Sequence, residues 1–360
     1  MTDADPTAAG AFGAYVHIPF CAVRCDYCAF ATWTDREHLI GDYLSAVRTE
    51  ITRAVDDGLP AVTSVFFGGG TPSMVPADGL MALLGALPVD DGAEVTVECN
   101  PDTVTASLLA TYRAAGVTRL SLGVQSMVPH VLALLGRTHD PANVKRSVEL
   151  ARAAGFETFN LDLIYGSVGE SLDDWRQTVQ EALALDPPHV SAYGLTVEAG
   201  TPLALDPARH PDDDDQASKY EAADALFAAS GLACYEISNW ALPGHECRHN
   251  LLYWSQGDYR GFGCAAHSHR AGRRWWNVRT PERYIALIGA GEPAEGAGEE
   301  LDASARRIEG LQLQLRTRSG VPADALDADE LPGLVEAQGH RLVLTRSGRL
   351  LANEVALRLR

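Results

Sequence analysis

Lysine is nearly missing from this 360-residue chain. Of 29 basic residues only Lys145 and Lys219 are lysines, and with 48 acidic residues the net charge is −19. Such a balance excludes a nonspecific nucleic-acid binder, which needs a dense basic face. No apolar run approaches the roughly 20 residues of a membrane span, so no stable membrane insertion is expected. The first residues show no basic stretch followed by an apolar one, so no secretory leader is expected. A disulfide framework is missing as well: Cys99, Cys234, Cys247 and Cys264 are scattered, which suits a reducing compartment and makes the cytoplasm the expected location. Apolar residues are not in short supply. At 46% hydrophobic and 21% charged the chain is ordinary for a globular protein, and it is long enough for one large core and a smaller appended domain.

The remaining three cysteines fall together, in Cys21-Ala-Val-Arg-Cys25-Asp-Tyr-Cys28. They follow the apolar run Ala14-Tyr15-Val16-His17-Ile18 and the turn Pro19-Phe20. This spacing lets one loop aim three thiolates at a single inorganic centre. Three ligands suit a cubane iron–sulfur cluster with one iron left open. Structural zinc wants a fourth ligand, usually from a second pair. A disulfide leaves one thiol over. The motif Cys-x-x-x-Cys-x-x-Cys, with an aromatic before its last cysteine, resembles that of the radical S-adenosylmethionine (SAM) superfamily. That resemblance implies a 4Fe-4S cluster on Cys21, Cys25 and Cys28 whose open iron chelates SAM. Reductive cleavage of SAM then gives a 5′-deoxyadenosyl radical, and an electron donor for the cluster is implied too. Such chemistry requires that water be kept out.

The first two-thirds of the chain alternates short apolar, β-branched runs with longer helical periods. Strands are expected at Ala14–Ile18, Ser64–Phe67, Glu94–Glu98, Arg119–Val124, Thr158–Ile164 and His189–Leu195. Helices are expected at Arg36–Val55, Ala77–Leu87, Ala106–Ala115, Pro141–Ala154, Leu172–Leu185 and about Asp214–Ser230. Six such units predict an α/β fold with a parallel sheet and right-handed crossovers. Eight units close a TIM barrel, so six predict an open, three-quarter (β/α)6 TIM-like barrel. Its chemistry belongs at the C-terminal strand ends.

Further motifs fall at those ends. Gly68-Gly69-Gly70-Thr71-Pro72 follows the second strand, where glycines allow close backbone approach or simply a tight turn. Glu98 ends the third strand and offers a carboxylate to a diol, or to solvent. Gln125 ends the fourth, Arg137 follows it with a carboxylate-binding guanidinium, and Asp162 sits inside an apolar run, where a charge needs a partner. Together these resemble the SAM-contacting positions of the coproporphyrinogen oxidase branch. The resemblance extends to Tyr15 and Tyr27 and gives SAM-binding roles to Gly69, Gly70, Thr71, Glu98, Gln125, Arg137 and Asp162.

After Ser230 the pattern changes. Cys247-Arg248-His249-Asn250-Leu251-Leu252-Tyr253-Trp254 leads to His267-Ser268-His269, with His, Tyr and Trp concentrated. On a helical turn His249 and Tyr253 share a face. An imidazole beside flat aromatics suits a porphyrin, or else is a buried core histidine. His-Asn-x-x-Tyr-Trp resembles the signature of the HemW heme chaperones. That implies a protein that binds heme and hands it to apo-hemoproteins without coproporphyrinogen oxidase activity. His249 is the expected heme contact, with His245, His267 and His269 as weaker ones. The alternative is the oxygen-independent coproporphyrinogen III oxidase itself. Against it, the oxidase's fourth cysteine is here Phe30, and only twenty residues precede Cys21 where the oxidase has a long arm. Departures from the chaperone pattern are local: no proline in Gly166-Ser167-Val168-Gly169, no second glycine after Gly263-Cys264, and Cys99 for a common alanine.

The expected organisation is a frayed N-terminus over 1–11, a core barrel over 12–230, a heme-motif segment over 231–300 and a C-terminal domain over 301–360. The last reads as helix (Ser304–Leu315), turn, helix, short strand (Arg341–Thr345) and helix. It resembles the family's smaller α+β, winged-helix-like end. With so acidic a chain, a lid or docking role is expected for it rather than DNA binding.

Overall fold

The sheet that organises the molecule begins where apolar residues run unbroken, as expected for strands covered on both faces. In the computed structural model, which describes residues 10–137 and 139–360, β1 (Phe12–Ile18), β2 (Val62–Gly69), β3 (Val89–Cys99), β4 (Arg119–Gln125), β5 (Thr158–Tyr165) and β6 (His189–Gly194) pair in parallel, each with the next. Helices α1 (Ile40–Asp56), α2 (Ala77–Leu84), α3 (Ala106–Ala114), α4 (Pro129–Leu134), α5 (Pro141–Ala153), α6 (Leu172–Leu183) and α7 (Asp213–Ala229) connect or follow them. Local chemistry sets their starts. Asp140 caps α5 through Ala142 N–H, Ser171 and Asp174 form a capping box on α6, and Asp212 caps α7 through Asp215 N–H. The six-unit open barrel is therefore present, with boundaries within a few residues of those expected. Exceptions are β3, which starts earlier at Val89, and α4, a short helix the sequence did not signal.

The 231–300 segment, expected as a heme-motif segment after the barrel, is built into the barrel's sheet. Its strands continue the barrel's own sheet past both edges. β7 (Ala233–Glu236) and β8 (Asn239–Ala241) extend β6 antiparallel. Helix α8 (Arg248–Trp254) then crosses to the other edge, where β9 (Asp258–Phe262) pairs in parallel with β1. β10 (His267–Arg270), β11 (Arg273–Asn277) and β12 (Glu295–Glu300) add antiparallel strands, with α9 (Pro281–Gly289) between the last two. The resulting order is β12-β11-β10-β9-β1-β2-β3-β4-β5-β6-β8-β7. Because β6 and β1 do not pair with each other, the barrel does not close, and the side slot of this open barrel lies between them.

The C-terminal part has its own small core around Leu311, Leu315, Val321 and Leu342. Helix α10 (Ala303–Leu315) leads to a three-stranded antiparallel sheet of β13 (Val321–Pro322), β14 (Val335–Gln338) and β15 (Arg341–Leu344), then α11 (Arg346–Leu350) and α12 (Ala352–Ala356). Two short 3-10 turns, Ala323–Ala325 and Ala328–Glu330, stand where one helix was expected. Arg346 and Arg349 pair with Asp224 of α7 at 2.6 and 3.2 Å and tie this part to the barrel. The expectation on residues 1–11 falls almost wholly outside the described residues. No helix among the described residues is long and apolar enough to cross a membrane.

One of the two lysines is structural. Lys219 of α7 is fully buried and pairs with the equally buried Glu170 at 3.1 Å and with Asp215 at 2.6 Å. It also donates to the Glu170 carbonyl at 2.7 Å. Glu170 in turn accepts the Gly166 N–H and so shapes the loop after β5. Burial still raises Glu170 above its ordinary range despite Lys219. Lys219→Met is therefore expected to destabilise the fold by about 3–5 kcal/mol, because it strands a buried carboxylate. Denaturant unfolding checks this, and Lys219→Met with Glu170→Gln should recover part of the loss.

Candidate functional site

The cysteine loop runs from the end of β1 across the top of the barrel. It is anchored at both sides: Cys21 N–H donates to the Trp33 carbonyl at 3.1 Å and Trp33 N–H to Pro19 at 2.8 Å. The glycine turn after β2 holds its start. Gly70 N–H donates to Ile18 at 2.7 Å, Thr71 N–H donates to Phe20 at 2.8 Å, and Thr71 Oγ1 lies 3.7 Å from Cys21 Sγ. Glycine is required here by backbone conformation as well as by packing. Gly69 has φ +109°, and a Cβ would sit 2.4 Å from the His17 ring; at Gly70 it would sit 2.6 Å from the Phe20 carbonyl. The turn thus packs tightly, and its open side faces the site.

Cys21, Cys25 and Cys28 all line one chamber of about 550 Å³ at the C-terminal strand ends. Gly69, Gly70, Thr71, Glu98, Gln125 and Arg137 line it too, as do Tyr27 and Asp162. Tyr15 does not. It points instead into a second chamber, of about 560 Å³, deeper in the barrel. Glu98, Asp162, Tyr193 and Phe30 border both, so the two chambers adjoin. Phe30, at the position of the oxidase's fourth cysteine, is 63% exposed beside them.

Is the upper chamber fit for a cluster? All three cysteines are free thiols. Burial first, and then one another's charge, raises Cys21 and Cys28. Thiols so placed hold their protons until a metal cation displaces them and takes up the thiolate charge. Among the described residues no three His, Cys, Asp or Glu side chains converge as a single ion would need. Three thiols from one loop are one donor short of the tetrahedral set that structural zinc takes, and they match the soft donors of an iron–sulfur cluster with one iron left open. Arg137 adds positive charge: one guanidinium nitrogen lies 3.6 Å from Cys25 Sγ and the other donates to the Gly123 carbonyl at 3.0 Å.

The acidic candidates are held differently. Glu98 accepts the Gly69 N–H at 3.0 Å, and burial, aided by Asp162's charge, pushes it up to about 8. Asp162 has both oxygens engaged, by Ser121 at 2.7 Å and Asn160 at 2.8 Å. Gln125 carries φ +64°, a left-handed conformation rare for its type and found where a side chain is forced into a site.

His249 stands on α8, at the floor of the barrel rather than its mouth. Its Nδ1 meets Ser64 Oγ at 2.9 Å and its Nε2 meets Tyr253 OH at 3.0 Å, while Phe66 stacks on its face at 5.4 Å. Burial pushes it down to about 3. Both ring nitrogens thus have hydrogen-bond partners, and the ring lies on the wall of the lower chamber. His245 is bonded to Thr158 Oγ1 at 2.9 Å, and His269 to the Gly257 carbonyl at 2.9 Å.

Three residues that matter here were not singled out from the sequence. Glu94, early in β3, accepts the Arg248 and His249 N–H groups at 3.0 and 3.1 Å and so fastens α8 to the floor. Arg119, at the start of β4, is buried in the lower chamber with no ion pair among the described residues. His139 lines the upper chamber, and burial pushes it down to about 4. Arg119 heads an apolar strand, a place that reads as solvent edge. Only the closed floor reveals otherwise.

Residues 15–182 match the model of the Radical SAM superfamily. Heme chaperone HemW of Mycobacterium tuberculosis (strain CDC 1551 / Oshkosh) is 44% identical over 367 residues, covering 96% of this chain and 93% of that one. HemW of Bacillus subtilis (strain 168) is 35% identical, covering 95% and 97%. Among solved structures, the coproporphyrinogen III oxidase HemN of Escherichia coli superposes with a TM-score of 0.84 over 98% of this chain and 91% of that one; at 23% identity this likeness shows the fold. Relatives of this identity, matched over nearly their whole length, show that the chain belongs to the HemW heme-chaperone family within the radical SAM superfamily.

Proposed function

We propose that this protein binds heme and delivers it to apo-hemoproteins, carrying a 4Fe-4S cluster and SAM in its upper chamber. The observation that carries this is the near full-length identity to curated heme chaperones, at 44%. Phe30, where the oxidase branch has a fourth cysteine, agrees with it. In this reading Cys21, Cys25 and Cys28 hold the cluster, which when bound supplies one electron to the SAM sulfonium. The Gly69-Gly70-Thr71 turn takes the SAM amino group and Arg137 its carboxylate. Glu98 takes the ribose diol, and Tyr27, Gln125 and Asp162 complete the walls. Tyr15 acts from the lower chamber. The barrel over 12–230, completed by the strands of 231–300, is the carrier. The winged-helix-like part over 301–360 is the surface for docking recipients. The acidic surface and the free thiols favour work in the cytoplasm with a protein electron donor.

One anaerobic preparation tests the reading. Heme should bind and pass to an apo-hemoprotein, while coproporphyrinogen III should remain unchanged in the presence of SAM and reductant. Conversion to protoporphyrinogen IX without heme binding overturns the proposal in favour of the oxidase.

Two further outcomes are expected. Anaerobic reconstitution should give the broad visible absorbance of a 4Fe-4S cluster, and Cys25→Ala should abolish it. Iron analysis checks this, and zinc in the wild type defeats the assignment. Second, Glu98 stands at about 8 in the free chamber, so at neutral pH it is mostly protonated and accepts poorly from a diol. SAM binding favours its ionised form and releases a proton. Affinity should therefore rise with pH below about 8, by at most tenfold per pH unit, and level off above. Calorimetric titration at several pH values reads this, and Glu98→Gln should flatten the profile.

A further inference from the structure

Four imidazoles line the lower chamber: His17, His189, His249 and His267. Three are fully committed. His17 meets Tyr15 OH at 3.1 Å through Nδ1 and the Ala31 carbonyl at 2.9 Å through Nε2. His189 bridges Asn160 at 2.7 Å and Tyr235 OH at 2.9 Å. His249 bridges Ser64 and Tyr253. Burial holds all three below the ordinary imidazole range.

His267 differs in its exposure and its hydrogen bonding. It is exposed, at the start of β10 where it lines the lower chamber, and neither nitrogen has a hydrogen-bond partner among the described residues. Its ring plane is fixed from behind by Trp276, its partner in the β10–β11 ladder, stacked at 5.4 Å and 26°. Desolvation, with Arg274 adding to it, lowers His267, so a neutral ring with a free lone pair prevails at pH 7. Arg279 borders the same chamber, exposed and without an ion pair among the described residues.

We infer that His267 is the imidazole that meets heme iron at the side slot of the barrel, backed by Trp276, with Arg279 facing a heme propionate. This rests on the heme-chaperone reading and assigns its contact to a residue outside the His-Asn-x-x-Tyr-Trp motif. Ligation by His249 would break a buried hydrogen bond to Ser64 or Tyr253 and leave that hydroxyl unsatisfied. It would also drive a flat macrocycle to the barrel floor. At His267 neither cost arises, since the lone pair is already free and the stacking plane already set.

The test is heme titration of the cluster-reconstituted full chain, followed by difference absorbance and electron paramagnetic resonance. Wild type should show an imidazole-ligated spectrum. His267→Ala should lose it and bind at least roughly tenfold more weakly, with circular dichroism unchanged. His267→Gly should regain the ligated spectrum when free imidazole is added, which a packing role would not produce. His249→Gln, which keeps a hydrogen-bonding side chain at the floor, should retain the wild-type spectrum. An unchanged spectrum and affinity in His267→Ala overturns this inference while leaving the chaperone reading intact. Absence of heme binding by the wild type removes both.

Discussion

A parallel sheet that stops at six strands leaves two unpaired edges, and unpaired backbone groups must find partners or water. The chain between residues 233 and 300 answers that demand. It lays β8 and β7 on one edge, crosses under the barrel as α8, and lays β9 to β12 on the other. The crossing is fixed by one buried carboxylate, Glu94, at the N-terminal end of α8. Because the added strands run outward instead of meeting, the side slot persists. The two chambers follow from this: the strand tops carry the thiols, and the closed floor makes a cavity below them.

Glycines and hydrogen bonds at the top show how little room is left for variation. The turn after β2 touches His17, Phe20 and the first cysteine within a few residues. One backbone segment thus sets both the entry of the cysteine loop and a wall of the upper chamber. The loop's other end is fixed by Trp33 pairing back to Pro19 and Cys21. Three thiols on one loop are positioned by two anchors rather than by one another.

Much of this was legible in the sequence. The six core strands are largely apolar runs, and the helix starts at Pro141 and Leu172 follow local periodicity, with Asp140 and Ser171 found as their caps in the structure. The cysteine spacing, the glycine turn and Glu98 could be placed because each depends on nearby chain. What failed to show depends on distant partners. β9 pairs with β1 across more than 240 residues, and β10 and β12 read as His-Ser-His-Arg and Glu-Gly-Ala-Gly-Glu-Glu, with no apolar alternation to betray a strand. A motif also cannot disclose what a side chain bonds to. His249 reads as an available imidazole, yet Ser64, 185 residues earlier, occupies it. Glu94 and Arg119 look like strand-end charges until the floor is closed over them.

The scarcity of lysine has a practical side. Lys219 is sealed within α7's packing, so Lys145, on α5 with about half its side chain in solvent, is the lone exposed lysine. Reagents that acylate primary amines would modify this surface at a single side chain, on the barrel's outer helical layer. Apart from the α-amino group, amine-directed mass labelling of the folded chain therefore reduces to one position.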